Sequence, residues 1–174
     1  NDQRPDVNFW FDHLDLDTQA DRDYYLACRQ DAWQTIYGNL DHYDGAGFLD
    51  DAYDSWKANP KSLVVAMAGS HRAGLLQLDP RRGQETHEGY ISFLYLAPEQ
   101  RNNGVGIQLI GKAVSLSRPL DCDKLGLVCS EQNAHALAFY QKYGFHTIGT
   151  EAGAYGTLYR MQKDIGYTVR EDLM

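Results

Sequence analysis

The sequence predicts a single mixed α/β domain with the element order β-αα-ββ-β-α-β-α-ββ. Three observations carry this expectation. Apolar residues recur at helical spacing from Thr18 to Tyr37 and again from Gly104 to Ser117. Between these stretches the pattern changes to short apolar runs bounded by turn residues. The chain has 174 residues, 43% of them hydrophobic and 23% charged, which suffices for one core but not comfortably for two.

Val7–Phe11 is the first predicted strand. The stretch "TQADRDYYLACRQDAWQTIY" places Tyr25, Leu26, Trp33, Ile36 and Tyr37 near helical spacing, with Thr18 and Asp21 as its start and Gly38-Asn39 as its stop. "GFLDDAYDSWKA" is a second helix, ended before Pro60. "SLVVAMAG" and "AGLLQLD", joined by Ser70-His71-Arg72, form a hairpin. After the polar loop "DPRRGQETHEG", Tyr90–Leu96 is apolar and aromatic on both faces, as a covered central strand should be. A helix over Gly104–Ser117 ends at Pro119. "KLGLVC" alternates as a strand, and "NAHALAFYQKYG" is a short helix between Asn133 and Gly144. "FHTIGT" and "YGTLYRM" close the sheet, and the tail "GYTVREDLM" carries no assignment.

The formal net charge is −8, which argues against nucleic-acid binding, where cationic surface supplies most of the affinity. It suits a cationic partner such as an amine, or simply solubility. The longest apolar run, Leu63–Gly69, is too short for a membrane span, and no signal peptide opens the chain. Three cysteines, Cys28, Cys122 and Cys129, match neither a metal site nor a disulfide framework, so the expected compartment is the cytoplasm. His13, His71, His135 and His146 have no ligand spacing and no nucleophile partner; no metal is expected. The chain opens on Asn1 rather than a methionine, which leaves room for a longer parent chain.

The stretch "RNNGVGIQLIGKAV" admits three phosphate-loop readings. A dinucleotide fingerprint lacks its third glycine, because Leu109 occupies that position. A Walker loop would use Gly106, Gly111 and Lys112. Ala113 then replaces the magnesium-binding hydroxyl, and "IQLI" is too apolar for a phosphate loop. The third reading is R-x-x-G-x-G, with Arg101, Gly104 and Gly106 on the turn into a helix. Bare glycine backbone and the helix N-terminus then meet a pyrophosphate, and Arg101 adds a cation. Taken alone, the glycines are equally consistent with a tight strand-to-helix turn.

"FLYLAPEQRNNGVG" followed by "NAHALAFYQKYGF" resembles the GNAT superfamily of acetyl-CoA-dependent N-acetyltransferases. The likeness covers Tyr90–His146, and is weaker upstream over "DAWQTIYGNL". Asn103 is a small departure from the family's usual Gly, small or basic residue. The resemblance implies one acetyltransferase domain over residues 1–174. Its sheet would have six to seven strands flanked by about four helices and be splayed between the fourth and fifth strands. The acetyl-CoA core would span about residues 61–163 and substrate-side helices about 18–59. It implies an acyltransferase that moves the acetyl group of acetyl-CoA to a primary amine by direct attack. The acceptor is a small metabolite, polyamine, antibiotic or peptide. The alternative is a non-catalytic acetyl-CoA sensor within a longer chain. Dimers are common for such folds, so a homodimer is compatible with this reading.

By position in the family pattern, Leu96 would hold the pantetheine, and the pyrophosphate would meet Arg101, Asn102, Asn103, Gly104, Val105 and Gly106. The Leu94 N–H would face the thioester carbonyl. Asn133 and Tyr140 lie two helical turns apart, so Asn133 would anchor the cofactor arm and Tyr140 would donate a proton to the leaving thiolate. Outside the resemblance, Tyr140 reads equally as a core tyrosine among twelve. Glu88 shares a strand face with Tyr90 if the strand extends that far, and is the candidate base; Glu85, His87 or a water chain are alternatives. Trp33, Tyr37 and Tyr90 are the candidate acceptor-binding residues, near Asp41, His42, Tyr43 and Asp44.

Overall fold

A computed structural model describes residues 9–166. In chain order the main elements are β1 (Phe9–His13), α1 (Gln19–Tyr37), α2 (Gly45–Ala58), β2 (Leu63–Ala68), β3 (His71–Asp79), β4 (Glu88–Leu96), α3 (Val105–Ser117), β5 (Lys124–Ser130), α4 (Ala134–Lys142), β6 (His146–Gly153) and β7 (Gly156–Asp164). Among the described residues the strands form one seven-stranded sheet in the order β1-β2-β3-β4-β5-β7-β6. All neighbours are antiparallel except β4 and β5, which run parallel and are joined through α3.

Strand periodicity divides the core between two faces. Val65, Met67 and Leu75 point to α1 and α2, where they pack with Tyr25, Cys28 and Ala52. Val64, Ala66 and Leu76 point the other way, to Leu109, Ile110 and Ala113 of α3. α1 starts where the Thr18 hydroxyl accepts from the Asp21 N–H at 3.3 Å, and stops at Gly38 in the left-handed region. α2 begins at Gly45, two residues before its apolar pattern, because Asp44 caps it by accepting from the Gly47 N–H at 3.0 Å.

Two irregularities in β4 shape the molecule. Gln77 pairs with Phe93 while Leu78 pairs with Ile91, so Ser92 is an extra residue in the strand. Tyr90 and Ser92 therefore line the α1/α2 side, and Phe93 and Tyr95 pack there too, while Ile91, Leu94 and Leu96 face α3. The second irregularity concerns β5. Pairing runs only from Glu88–Lys124 to Tyr90–Gly126; beyond it Ile91–Leu96 have no partner on the β5 side. The sheet is splayed there, as expected.

β4 begins at Glu88, two residues before the predicted strand, because Glu88 and Gly89 pair with Lys124 and Leu125. Of the predicted strand Val7–Phe11, Val7 and Asn8 lie outside the described residues. The strand runs on to His13, which pairs with Val64. The C-terminal tail beyond Gly166 also lies outside them.

Leu109 is fully buried at the α3–sheet contact. Leu109→Ala is expected to cost about 2–5 kcal/mol, seen as a lower urea midpoint at unchanged slope. A midpoint at the wild-type value would show that α3 is not packed on the sheet as described.

Candidate active site

The gap between β4 and β5 opens on a cavity of about 430 Å³ lined by Leu96, Arg101, Asn102, Gly104, Gly106, Ile107, His135, Phe139 and Lys142. Its rim is the turn into α3. Asn102 adopts φ 69° and Gly104 φ 83°, both left-handed, which swings the chain sharply into the helix. No side chain caps α3. Its first helical bond runs from the Gln108 N–H to the Gly104 carbonyl at 3.3 Å. The N–H groups of Gly104, Val105, Gly106 and Ile107 donate to no acceptor among the described residues. With Arg101 and Lys142 alongside, this is an anion-binding arrangement. At Gly106 a Cβ would lie 2.5 Å from the Phe139 ring, so glycine lets α4 close on α3.

The remaining sequence candidates on this side are placed as follows. Val105 is buried in the core, so only its backbone faces the rim. The Asn103 amide donates to Gln100 Oε1 at 3.3 Å and turns from the cavity. Asn133 caps α4, its Oδ1 accepting from the Ala136 N–H at 3.2 Å, which leaves its NH2 group. Leu94 is half-buried against the α3 side of the core. Tyr140 is packed against Phe139 and Phe145, with ring centroids at 5.4 Å in both cases. Its hydroxyl makes no hydrogen bond among the described residues. Burial, with Cys129 adding to it, raises the phenol above its ordinary value, so it stays protonated.

The opposite face carries a second cavity, of about 470 Å³. Its walls include Arg29 and Trp33 of α1, Phe48 and Asp51 of α2, Tyr90 and Ser92 of β4, and Tyr155 from the β6–β7 turn. Trp33 packs on Tyr37, Phe48 and Tyr155 at 4.5, 6.0 and 5.5 Å, and His42 stacks on Tyr155 at 5.1 Å. Tyr37 packs on the rings of Trp33 and Tyr155, both of which line the cavity. Burial raises the Tyr90 phenol, and Arg82 opposes the effect from 3.9 Å above the ring.

Glu88 does share a face with Tyr90. Its carboxylate lies over the backbone of Gly126, where a Cβ would collide with it, and accepts from Gln162 Nε2 at 2.6 Å. It is thus tied across β5 to β7. Glu85 and Glu88 border a third hollow with Arg82 and Tyr90, whereas His87 points elsewhere, to the Asp121 carbonyl at 3.1 Å.

Arg29, Asp51, Ser92 and Tyr155 went unread in the sequence. Tyr25, Arg29 and Trp33 recur at i, i+4 and i+8, a signal that would have put Arg29 on the Trp33 stripe. Tyr155 sits in a hairpin turn and reaches the cavity only through the β-sheet order. Among the described residues no His, Cys, Asp and Glu group could hold a metal ion, and no helix is long and apolar enough to cross a membrane.

Comparison with known proteins agrees with this geometry. The model of the acetyltransferase (GNAT) family matches residues 18–145. GCN5-related N-acetyltransferase 4, chloroplastic, of Arabidopsis thaliana is 28% identical over 111 residues, 58% of this chain and 38% of that protein. N-alpha-acetyltransferase 30 of Homo sapiens is 32% identical over 88 residues, 49% of this chain and 24% of that protein. The chain thus spans well under half the length of these curated relatives. Among solved structures, Ard1 from Thermoplasma volcanium superposes with a TM-score of 0.70 at 20% identity, covering 91% of this chain and 98% of that one. The PaiA N-acetyltransferase from Thermoplasma acidophilum, in complex with coenzyme A, gives 0.67 at 18%, covering 91% and 99%. At these identities the structures establish the shared fold.

Gly106→Ala would push its methyl into Phe139, which is held by Tyr140 and Tyr143. A loss of about 1–3 kcal/mol is expected by urea unfolding; a neutral result would show that α3 and α4 do not meet closely at this point.

Proposed function

The chain belongs to the acetyltransferase (GNAT) family, and from that premise we propose that it transfers the acetyl group of acetyl-CoA to a primary amine by direct attack. The observation that carries the reading is the row of unpartnered N–H groups, Gly104 to Ile107, at the mouth of the β4/β5 opening. Acetyl-CoA supplies a thioester acyl group and a pyrophosphate. The residues fit it: four orphan donors, Arg101 and Lys142 for the phosphates, and unpaired β4 backbone at Ile91–Leu96 for an extended arm.

In this proposal Leu96 flanks the arm, the Asn133 NH2 group anchors it, and Arg101 to Gly106 hold the phosphates. The Leu94 N–H donates to the oxyanion that develops at the acetyl carbonyl. Tyr140 donates its proton as the thiolate leaves, a role that a raised phenol keeps through neutral pH. The acceptor amine enters from the other face, past Trp33 and Tyr90, with Tyr37 bracing Trp33. Glu88 takes the amine's proton through water, since its carboxylate is fixed by Gln162 rather than aimed at Tyr140. The working domain is the single unit over residues 1–174, acting as a cytoplasmic protein with a small-molecule or peptide amine as partner and no need of metal, membrane or nucleic acid. A homodimer is compatible with it.

Free-thiol release from acetyl-CoA with a panel of primary amines tests the reaction. Turnover on at least one amine is expected; tight binding of acetyl-CoA with no turnover on any would leave a cofactor sensor instead. Tyr140→Phe should lower kcat roughly 10- to 100-fold, toward the lower end of general-acid effects, with cofactor affinity unchanged. The loss should be flat between pH 6 and about 9, because the raised phenol does not titrate there. Unchanged kcat would remove Tyr140 from the chemistry.

A further inference from the structure

The acceptor-side cavity holds charges of both signs. All three of its carboxylates already accept from the protein. Asp44 takes the Gly47 N–H at 3.0 Å, Asp51 takes Gln77 Nε2 at 3.0 Å, and Asp79 takes the Arg81 N–H at 3.0 Å. Neither of its guanidinium groups, Arg29 or Arg82, has a carboxylate within ion-pair distance among the described residues.

Arg29 is held with unusual rigidity for an unpaired cation. Its guanidinium carbon lies 4.0 Å from the centroid of Phe93 and 4.3 Å from that of Phe48. Its Nε donates to the Tyr25 hydroxyl at 2.9 Å and one terminal nitrogen to Gln77 Oε1 at 3.3 Å. Tyr25 and Gln77 are both fully buried, and the Tyr25 hydroxyl donates to the same Gln77 oxygen. The Gln77 amide thus stands between two charges. Its oxygen serves Arg29 and its nitrogen serves Asp51, which keeps them from pairing with each other. The other terminal nitrogen of Arg29 donates to nothing among the described residues. A half-buried guanidinium, fixed from behind and unspent in front, is built to receive an anion.

We propose that the acceptor is an amine that carries a carboxylate, of the amino-acid class, and that Arg29 binds that carboxylate while the amine lies toward Tyr90 and Ser92, where β4 parts from β5. This rests on the acetyl-transfer reading and narrows it. Arg29 determines specificity without taking part in bond making.

The test is thiol release from acetyl-CoA by the whole protein with matched acceptors at one pH: lysine against cadaverine, phenylalanine against phenethylamine, tyrosine against tyramine. For at least one pair the wild type should show kcat/KM about 10- to 100-fold higher for the member bearing the α-carboxylate, the range of one charge-assisted pair. Arg29→Gln should bring the ratio of the two members' kcat/KM to about one, and Arg29→Lys should restore part of it; an Arg29→Gln variant that keeps the wild-type ratio overturns the proposal. The ratio of ratios cancels differences in amine basicity, and a purely structural role would lower both members alike. The wild-type comparison needs no variant to fold. Equal or better turnover of the decarboxylated amines overturns the proposal but leaves acetyl transfer standing. No turnover of any member while another primary amine is acetylated overturns this inference alone; no turnover of any primary amine, with acetyl-CoA bound, overturns acetyl transfer and this inference with it.

Discussion

Everything in this molecule follows from how briefly β4 and β5 pair. Three residues of each strand are in register, and then the strands part in the middle of a seven-stranded sheet. A sheet normally satisfies its interior backbone through its neighbours. Here Ile91–Leu96 of β4 keep β3 on one side and have no strand partner on the other among the described residues. The extra residue Ser92 lies two positions beyond the last β4–β5 pair, where a bulge adds the local bend that turns the strand away. The result is an extended strand edge inside the protein, open to any extended chain that can pair with it.

The two faces of the sheet then divide the work. The α3/α4 face offers donors and cations: orphan N–H groups at the start of α3, Arg101 and Lys142, with Tyr140 on the buried side of α4. The α1/α2 face offers an aromatic wall, built from Trp33, Phe48 and Tyr155, around a polar floor of Arg29, Gln77 and Asp51. In the proposed function a cofactor would enter from one face and an acceptor from the other and meet at the gap, as direct transfer without an enzyme-bound acyl group requires.

The fold was legible because its signals are local. Helical spacing, the Thr18 and Asn133 caps, the stops at Gly38 and Gly144, and the run Tyr90–Leu96 all depend on neighbours in sequence. The α3 turn was legible for the same reason, since glycine, arginine and helix start are contiguous. Arg29 and Tyr155 were not, because they are 126 residues apart and meet only through the sheet order; so was the Ser92 bulge, a register property that exists only against β3. Helical spacing places Tyr37 beside Trp33, and the structure adds its contact with Tyr155. Glu88 shows the converse: its strand face was legible, its tether to Gln162 was not.

The central claim is that acetyl-CoA completes the β4 edge and seats its phosphates on the start of α3. Amide hydrogen exchange with and without acetyl-CoA measures this directly. The account predicts slowed exchange at Gly104–Ile107 and within Ile91–Leu96, the two segments whose backbone donors are left open, with little change in β1, β2 or β6. Tight binding of acetyl-CoA with no added protection in either segment would contradict it.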